Sequence, residues 1–406
     1  MDTIRTTDTD EGRHLKIAIS GAGVAGPALA HWLHRSGHVP TLIEQAPQFR
    51  SGGYVIDFWG VGYRIAERMG IEAAILDAGY QVQSVRSVGR DGEIQASLDT
   101  DVFRRVTDGK FTSLPRGDLA ARIYATIERE VETIFGDSIA AVDQHADGVR
   151  LEFDRGDARD FDLVIGADGL HSNVRRLAFG PARDFERYLG CRVAAFVIEG
   201  YRPRDELVYM MHPVPGRQVS RFSLRDDRSM FLFVFRSQDA HDPGDLSARK
   251  EILHREFADA GWECPQILAA LEGVDDLYFD VVSQIRMDRW STGRIALIGD
   301  AAACVSFLAG EGTGLAMTEA YVLAGELKRA GSDYPLAFKA YEERLRKFIE
   351  GKQAGAQKLI AFFATRTQFG IWFRNFAMRA MKFEPLTRWF VGRSLRDEIE
   401  LPDYGM

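Results

Sequence analysis

A chain of 406 residues is long enough to bury large cores and to form more than one compact unit. Hydrophobic residues make up 46% and charged residues 27%, as in ordinary soluble proteins, and a net charge of −8 argues against a nucleic-acid partner. Cys191, Cys264 and Cys304 lie too far apart for a disulfide framework or a zinc spacing, which favours a reducing cytoplasm. Residues 1–13 read as a polar tail without the basic start and apolar stretch of a signal peptide, and no apolar run is long enough to span a bilayer.

The first ordered segment, "LKIAISGAGVAGPALAHWLHRSGHVPTLIEQ" (15–45), predicts a buried strand, a glycine turn, a helix and a second strand ending at Glu44. Gly21, Gly23 and Gly26 fit the spacing G-x-G-x-x-G. Gly21 permits the tight turn, Gly23 lets backbone N–H groups of Val24 and Ala25 approach a pyrophosphate, and Gly26 lets helix and strand pack closely. Glu44 stands where a carboxylate accepts hydrogen bonds from ribose hydroxyls, with Gln45 beside it, so this segment predicts a dinucleotide site. His31, His34 and His38 read as a polar helix face rather than a metal site.

Two later segments repeat the pattern of strand, acid and turn. "FDLVIGADGLHSNVRRL" (161–177) carries Asp168 and Gly169, and "IGDAAACVSFLAGEGTG" (298–314) carries Asp300, Gly310, Gly312, Thr313 and Gly314. Three such turns suggest one extended ligand touched at several points. Between them, residues 184–280 predict strands separated by turns, with 80–105 adding strands to the same mostly antiparallel sheet. "MFLFVF" (230–235) alternates Met230, Leu232 and Val234 against Phe231, Phe233 and Phe235, so one set faces a cavity and the other packs under helices.

Together these motifs resemble those of the class A flavoprotein monooxygenases, and the tetracycline-inactivating members in particular. "GAGVAG" with Glu44 resembles the family's FAD fingerprint, "GADGLHSNVRR" its motif touching FAD and the nicotinamide cofactor, and "GRIALIGDAA" with "GEGTG" the motif that contacts the flavin. "FRSGGYVIDFWG" (49–60) matches a segment that places Arg50 and Asp57 near the flavin and the NADPH approach, and "LPRGDLAARI" (114–123) places Arg116 beside the flavin. The resemblance implies an α/β fold: a glutathione-reductase-type Rossmann FAD-binding domain, a mostly antiparallel β-sheet substrate domain and a long C-terminal helix. The FAD-binding domain is expected over 14–79, 106–183 and 281–345, the substrate domain over 80–105 and 184–280, and a helical segment over 346–406.

The implied activity is hydroxylation of a bulky aromatic or polycyclic small molecule. FAD is reduced by NADPH or NADH and reacts with O2 to give a C4a-hydroperoxyflavin. Asp300 then holds the ribityl chain, while Gly310, Gly312, Thr313 and Gly314 approach the ring. Met230, Leu232 and Phe307 face the substrate, and no catalytic acid or base is identified. Ala303 and Phe307 stand where many members carry His and Pro, Gly314 where Asn is frequent, and Gln45 where Arg is frequent. An oxidase or dehydrogenase without oxygen transfer, and a flavin-holding protein that binds a ligand without turnover, are the alternatives. A halogenase is disfavoured because its W-x-W-x-I-P segment is missing. Residues 358–393 are aromatic and basic. A long helix there closes the cavity, and no membrane partner is expected because apolar residues surround much of the helix.

Overall fold

Lys16–Ser20 is the central strand of a six-stranded sheet. It pairs in parallel with Leu163–Gly166 on one side and Val39–Glu44 on the other. Ile295–Leu297 and Glu132–Phe135 extend the sheet in parallel, and Ser291–Thr292 adds an antiparallel edge. The inner strands are apolar along their length because helices cover both faces of such a sheet, so their side chains are buried whichever way they point. The computed structural model describes residues 14–49, 54–331, 333–381 and 399–406.

The second layer is a seven-stranded sheet in the order Tyr278–Ile285, Glu186–Glu199, Arg228–Arg236, Arg217–Ser223, Val208–Val214, Ser84–Val88 and Ile94–Asp99. It is antiparallel except where Val208–Val214 runs parallel to Ser84–Val88. The chain therefore leaves the parallel sheet, contributes two strands, returns, and leaves again for the rest. The edge strand Tyr278–Ile285 runs across the expected border at residue 280, because its pairing with Glu186–Ala195 holds it in the antiparallel sheet to its end.

Alternation in the strand Arg228–Arg236 sorts its side chains as period-two geometry requires. Phe231, Phe233 and Phe235 pack against Leu253, Phe257 and Ile267 under two helices, while Met230 and Leu232 face the other side. The long helix Tyr334–Phe363 starts earlier than the expected border at 345. Asp333 caps it by accepting the Leu336 N–H at 3.1 Å, and Pro335 fits its first turn. The C-terminal residues fold back onto the first unit, where Tyr404 is buried and donates to Glu326 Oε1 at 2.6 Å.

The helix Gly60–Met69 crosses Gly312–Ala330 where Gly62 meets Gly314. A Cβ on Gly62 would lie 2.4 Å from the Gly314 Cα, so the two backbones touch. Gly62→Ala is expected to cost about 1–3 kcal/mol through overpacking. Thermal unfolding should show a midpoint several degrees lower; an unchanged midpoint would show that the helices can separate freely.

Candidate functional site

The three glycine and acid turns, scattered over nearly 300 residues of sequence, meet at the carboxyl ends of neighbouring parallel strands. There they line one cavity of about 800 Å³, within the usual size of a cofactor or ligand site. Gly21, Gly23, Val24 and Ala25 form one wall, with Glu44 and Gln45 at the end of the next strand. Asp168 and Gly169 form a second wall, and Asp300, Phe307, Gly310, Gly312 and Thr313 a third. Arg116 enters from the start of the helix Arg116–Tyr124. Gly21 adopts φ +104°, and a Cβ there would sit 2.6 Å from the Ala167 carbonyl oxygen, so the first turn and the second can only touch through a glycine.

The helices Ala25–Arg35, Arg116–Tyr124 and Gly312–Ala330 have N-termini at this cavity without a side-chain cap. The helices Leu246–Phe257 and Gln368–Ala380 are instead capped by Asp245 and Thr367. Uncapped amides concentrate partial positive charge, which suits a pyrophosphate at one end and an electron-rich ring at the other. Arg116 adds a full charge beside them. Tyr54 first, and Asp300 with it, hold its pKa above the ordinary value against the desolvation that lowers it. These donors and the bare glycine backbone fit FAD.

The acids are held rather than free. Glu44 accepts the N–H groups of Ala22 and Ala46 through separate oxygens, each at 2.8 Å. Asp168 Oδ2 accepts from Asn173 N at 2.8 Å and Val174 N at 3.0 Å, and Oδ1 accepts from Ser172 Oγ at 2.5 Å. Asp168 thus fixes the turn it sits on as well as facing the cavity.

Two buried residues outside the motif acids tie the turns together. Arg175 is 1% exposed, and donates to the Ala301 carbonyl at 2.9 Å and the Leu170 carbonyl at 2.6 Å. It locks the second turn to the third. Glu319 accepts the Gly299 N–H at 2.6 Å and the Tyr341 hydroxyl at 3.1 Å, directly beneath Asp300. Burial pushes its pKa up to about 8. Sequence reasoning passed over both: Arg175 lies inside the quoted motif as one of two arginines, and Glu319 lies in a stretch that reads only as helix. Tyr54 and Tyr278 were also missed. They line the cavity with Phe307, at 4.4 Å between the Tyr54 and Phe307 ring centres and 5.9 Å between Tyr278 and Phe307.

Several expected site residues lie elsewhere. Gly26 stands back from the cavity against the Gly21 carbonyl, and Gly314 is spent on the contact with Gly62. Asp57 points into a small adjoining pocket with Trp59, Lys352 and Gly310, because strand alternation turns it away from its neighbour Ile56, which does line the cavity. Met230 and Leu232 face the flavin side of the sheet but do not reach the cavity, since Tyr54 packs over both. Arg50 lies outside the described residues. Cys304 is buried with its thiol pKa driven well up, chiefly by burial, which fits a core residue. His31 is likewise a core residue; it bonds Thr126 Oγ1 at 2.9 Å, and burial lowers its pKa to about 4.

A family described as FAD binding domain matches residues 14–351. An uncharacterized protein of Mycobacterium tuberculosis is 41% identical over 345 residues, covering 83% of this chain and 91% of its own. A flavin-dependent monooxygenase from an unknown prokaryotic organism is 37% identical over 361 residues, covering 89% of each. The crystal structure of tetracycline destructase Tet(55) superposes with a TM-score of 0.82 at 33% identity, covering 96% of this chain and 99% of that one. The fold and cavity are therefore those of an FAD-binding enzyme. The chain belongs to the class A FAD-dependent monooxygenases.

Glu319 makes this site pH-sensitive in a defined direction. Its folded pKa lies above its ordinary value of 4.5, so the stability it contributes is full below 4.5 and is lost as pH rises toward 8. Glu319→Gln keeps an acceptor for Gly299 and cannot ionise. Its stability relative to wild type should rise across that pH window in thermal unfolding. A difference independent of pH would show that Glu319 does not titrate there.

Proposed function

We propose that this enzyme consumes NADPH or NADH to hydroxylate a bulky aromatic or polycyclic small molecule with O2. When bound, FAD supplies the electron-transfer and oxygen-transfer chemistry. The chain's own residues bind it, orient the substrate and keep water away. The backbone N–H groups of Gly23, Val24 and Ala25 hold the pyrophosphate, Glu44 and Gln45 the adenosine end, and Asp300 the ribityl chain. Gly310, Gly312 and Thr313 would present the helix N-terminus to the ring and so favour an electron-rich reduced flavin. Arg116 would add a full positive charge beside it.

The observation that carries the substrate reading is the aromatic end of the cavity. Tyr54, Tyr278 and Phe307 form one contiguous surface beside Gly310, and desolvation keeps both tyrosines neutral by raising their pKa values. Such a surface suits a flat, extended ring system and excludes water. The likeness to tetracycline destructase Tet(55) supports the same size class. Three free, buried cysteines are in keeping with a reducing cytoplasm.

Asp57 lies outside this surface, in the small adjoining pocket with Trp59 and Gly310. Its surface is open, yet desolvation raises its carboxyl pKa, as for a side chain facing an enclosed hollow. Ser113 Oγ donates to it at 2.5 Å, and Tyr209, whose own pKa is raised by burial and then by Asp57, lies nearby.

The visible spectrum of the purified protein should show bound flavin. NADPH oxidation should rise with one member of a panel of polycyclic aromatics, tetracycline among them, and yield a product heavier by one oxygen. Oxidation without added oxygen would move the assignment to an oxidase or dehydrogenase. Ligand binding without any change in NADPH oxidation would make it a flavin-holding binding protein. In Tyr278→Ala the stimulated rate should fall about tenfold with flavin content unchanged, as for loss of one aromatic contact to substrate. An unaltered rate would remove Tyr278 from the substrate surface.

A further inference from the structure

The helix Gln368–Ala380 packs on the seven-stranded sheet through Ile371, Arg374, Asn375 and Met378 and turns its aromatic residues outward. Arg374 and Asn375 are buried. Arg374 Nη1 donates to Gln218 Oε1 at 2.8 Å and to the Phe362 carbonyl at 2.9 Å, and Asn375 Nδ2 donates to Gln95 Oε1 at 3.0 Å. On the opposite side Phe369, Trp372, Phe373 and Phe376 are 72%, 58%, 58% and 55% exposed. Their spacing of three, four and seven places them in one stripe. Trp372 stacks between Phe369 and Phe376, with ring centres 5.8 Å apart on each side. The exposed Phe and Trp side chains among the described residues all lie on this helix. An ordinary surface helix turns polar residues outward, and a contiguous exposed apolar patch marks a docking surface.

Charge and size say what docks there. Between Glu350 and Glu384 the chain carries no acid, and Arg366, Arg379 and Lys382 flank the stripe in sequence, within a protein of net charge −8. A second copy seated on the stripe would bring the same cations face to face. The stripe is also small: 13 residues of helix span about 20 Å, so a face roughly 10 Å wide offers about 200 Å², far below the roughly 800 Å² per partner of a stable protein interface. An anionic lipid surface meets neither objection. Aromatic rings settle at the headgroup level, and neighbouring cations are drawn to the negative surface.

We propose that the helix Gln368–Ala380 docks this enzyme on an anionic membrane surface, with its four aromatic rings in the interfacial layer. The helix lies on the membrane and does not cross it; among the described residues no helix is long and apolar enough to span a bilayer. The whole aromatic segment 358–393 shows no single apolar stripe in sequence. The stripe emerges once Arg374 and Asn375 are seen to turn inward.

Flotation of the flavin-loaded protein with phosphatidylcholine vesicles, alone or mixed with phosphatidylglycerol, tests this. Binding should require the anionic lipid, weaken at high salt, and fall by about tenfold or more in a variant carrying Phe369→Ser, Trp372→Ser and Phe373→Ser. These side chains face outward, so the variant should keep its flavin spectrum and thermal midpoint. Absence of flotation, or flotation equal in the variant, would overturn the proposal. So would a dimer in sedimentation that the variant dissolves, since a second copy then covers the face. Trp372 shielded from acrylamide before any vesicle is added, read as the difference from Trp372→Phe, would also overturn it, by showing the face already covered.

Discussion

Everything in this enzyme depends on the parallel pairing of Lys16–Ser20 with Leu163–Gly166, and of that strand with Ile295–Leu297. Parallel neighbours end on the same side of a sheet. Three turns from remote parts of the chain are thereby delivered to one edge, and their backbone N–H groups and acids face one cavity. No side chain in those turns could find the others without this register. The cavity is a consequence of strand order before it is a matter of particular residues.

Delivery alone leaves three loops whose relative positions could drift. Two buried polar residues remove that freedom. Arg175 spans from the Leu170 carbonyl to the Ala301 carbonyl, and Glu319 holds the Gly299 N–H that precedes Asp300. Burying an ionisable group is costly, as the raised pKa of Glu319 and the desolvation-lowered pKa of Arg175 both record. Each cost is offset by hydrogen bonds to backbone that would otherwise be unsatisfied. The result is a cradle whose turns are fixed relative to one another.

The second sheet reflects a different constraint. Its strands separate a phenylalanine layer under helices from a Met and Leu layer facing the first unit, and Tyr54 lies between that layer and the cavity. The same sheet carries the helix Gln368–Ala380 on its far edge through Gln95 and Gln218. One layer thus carries both Tyr278 of the aromatic end of the cavity and, on its far edge, the outward aromatic stripe.

By itself the sequence determined what is local. G-x-G-x-x-G between a strand and a helix, Glu44 at the end of the next strand, and the acids at 168 and 300 each announce a turn with a fixed chemical use, because glycine spacing and strand ends are properties of short segments. The period-two split of Met230 and Leu232 from the phenylalanines was legible for the same reason. What only the tertiary structure decided is which neighbours meet. Gly314 belongs to the contact with Gly62, Asp57 to the adjoining pocket, and Tyr54 and Tyr278 to the cavity, none of which any spacing encodes. Arg175 and Glu319 act through carbonyl and amide groups of turns distant in sequence, so their roles exist only once the strands have paired. The outward aromatic stripe is the clearest case. A segment that reads as aromatic and basic all round becomes one-sided because the sheet beneath it offers hydrogen bonds to Arg374 and Asn375 and none to Phe or Trp.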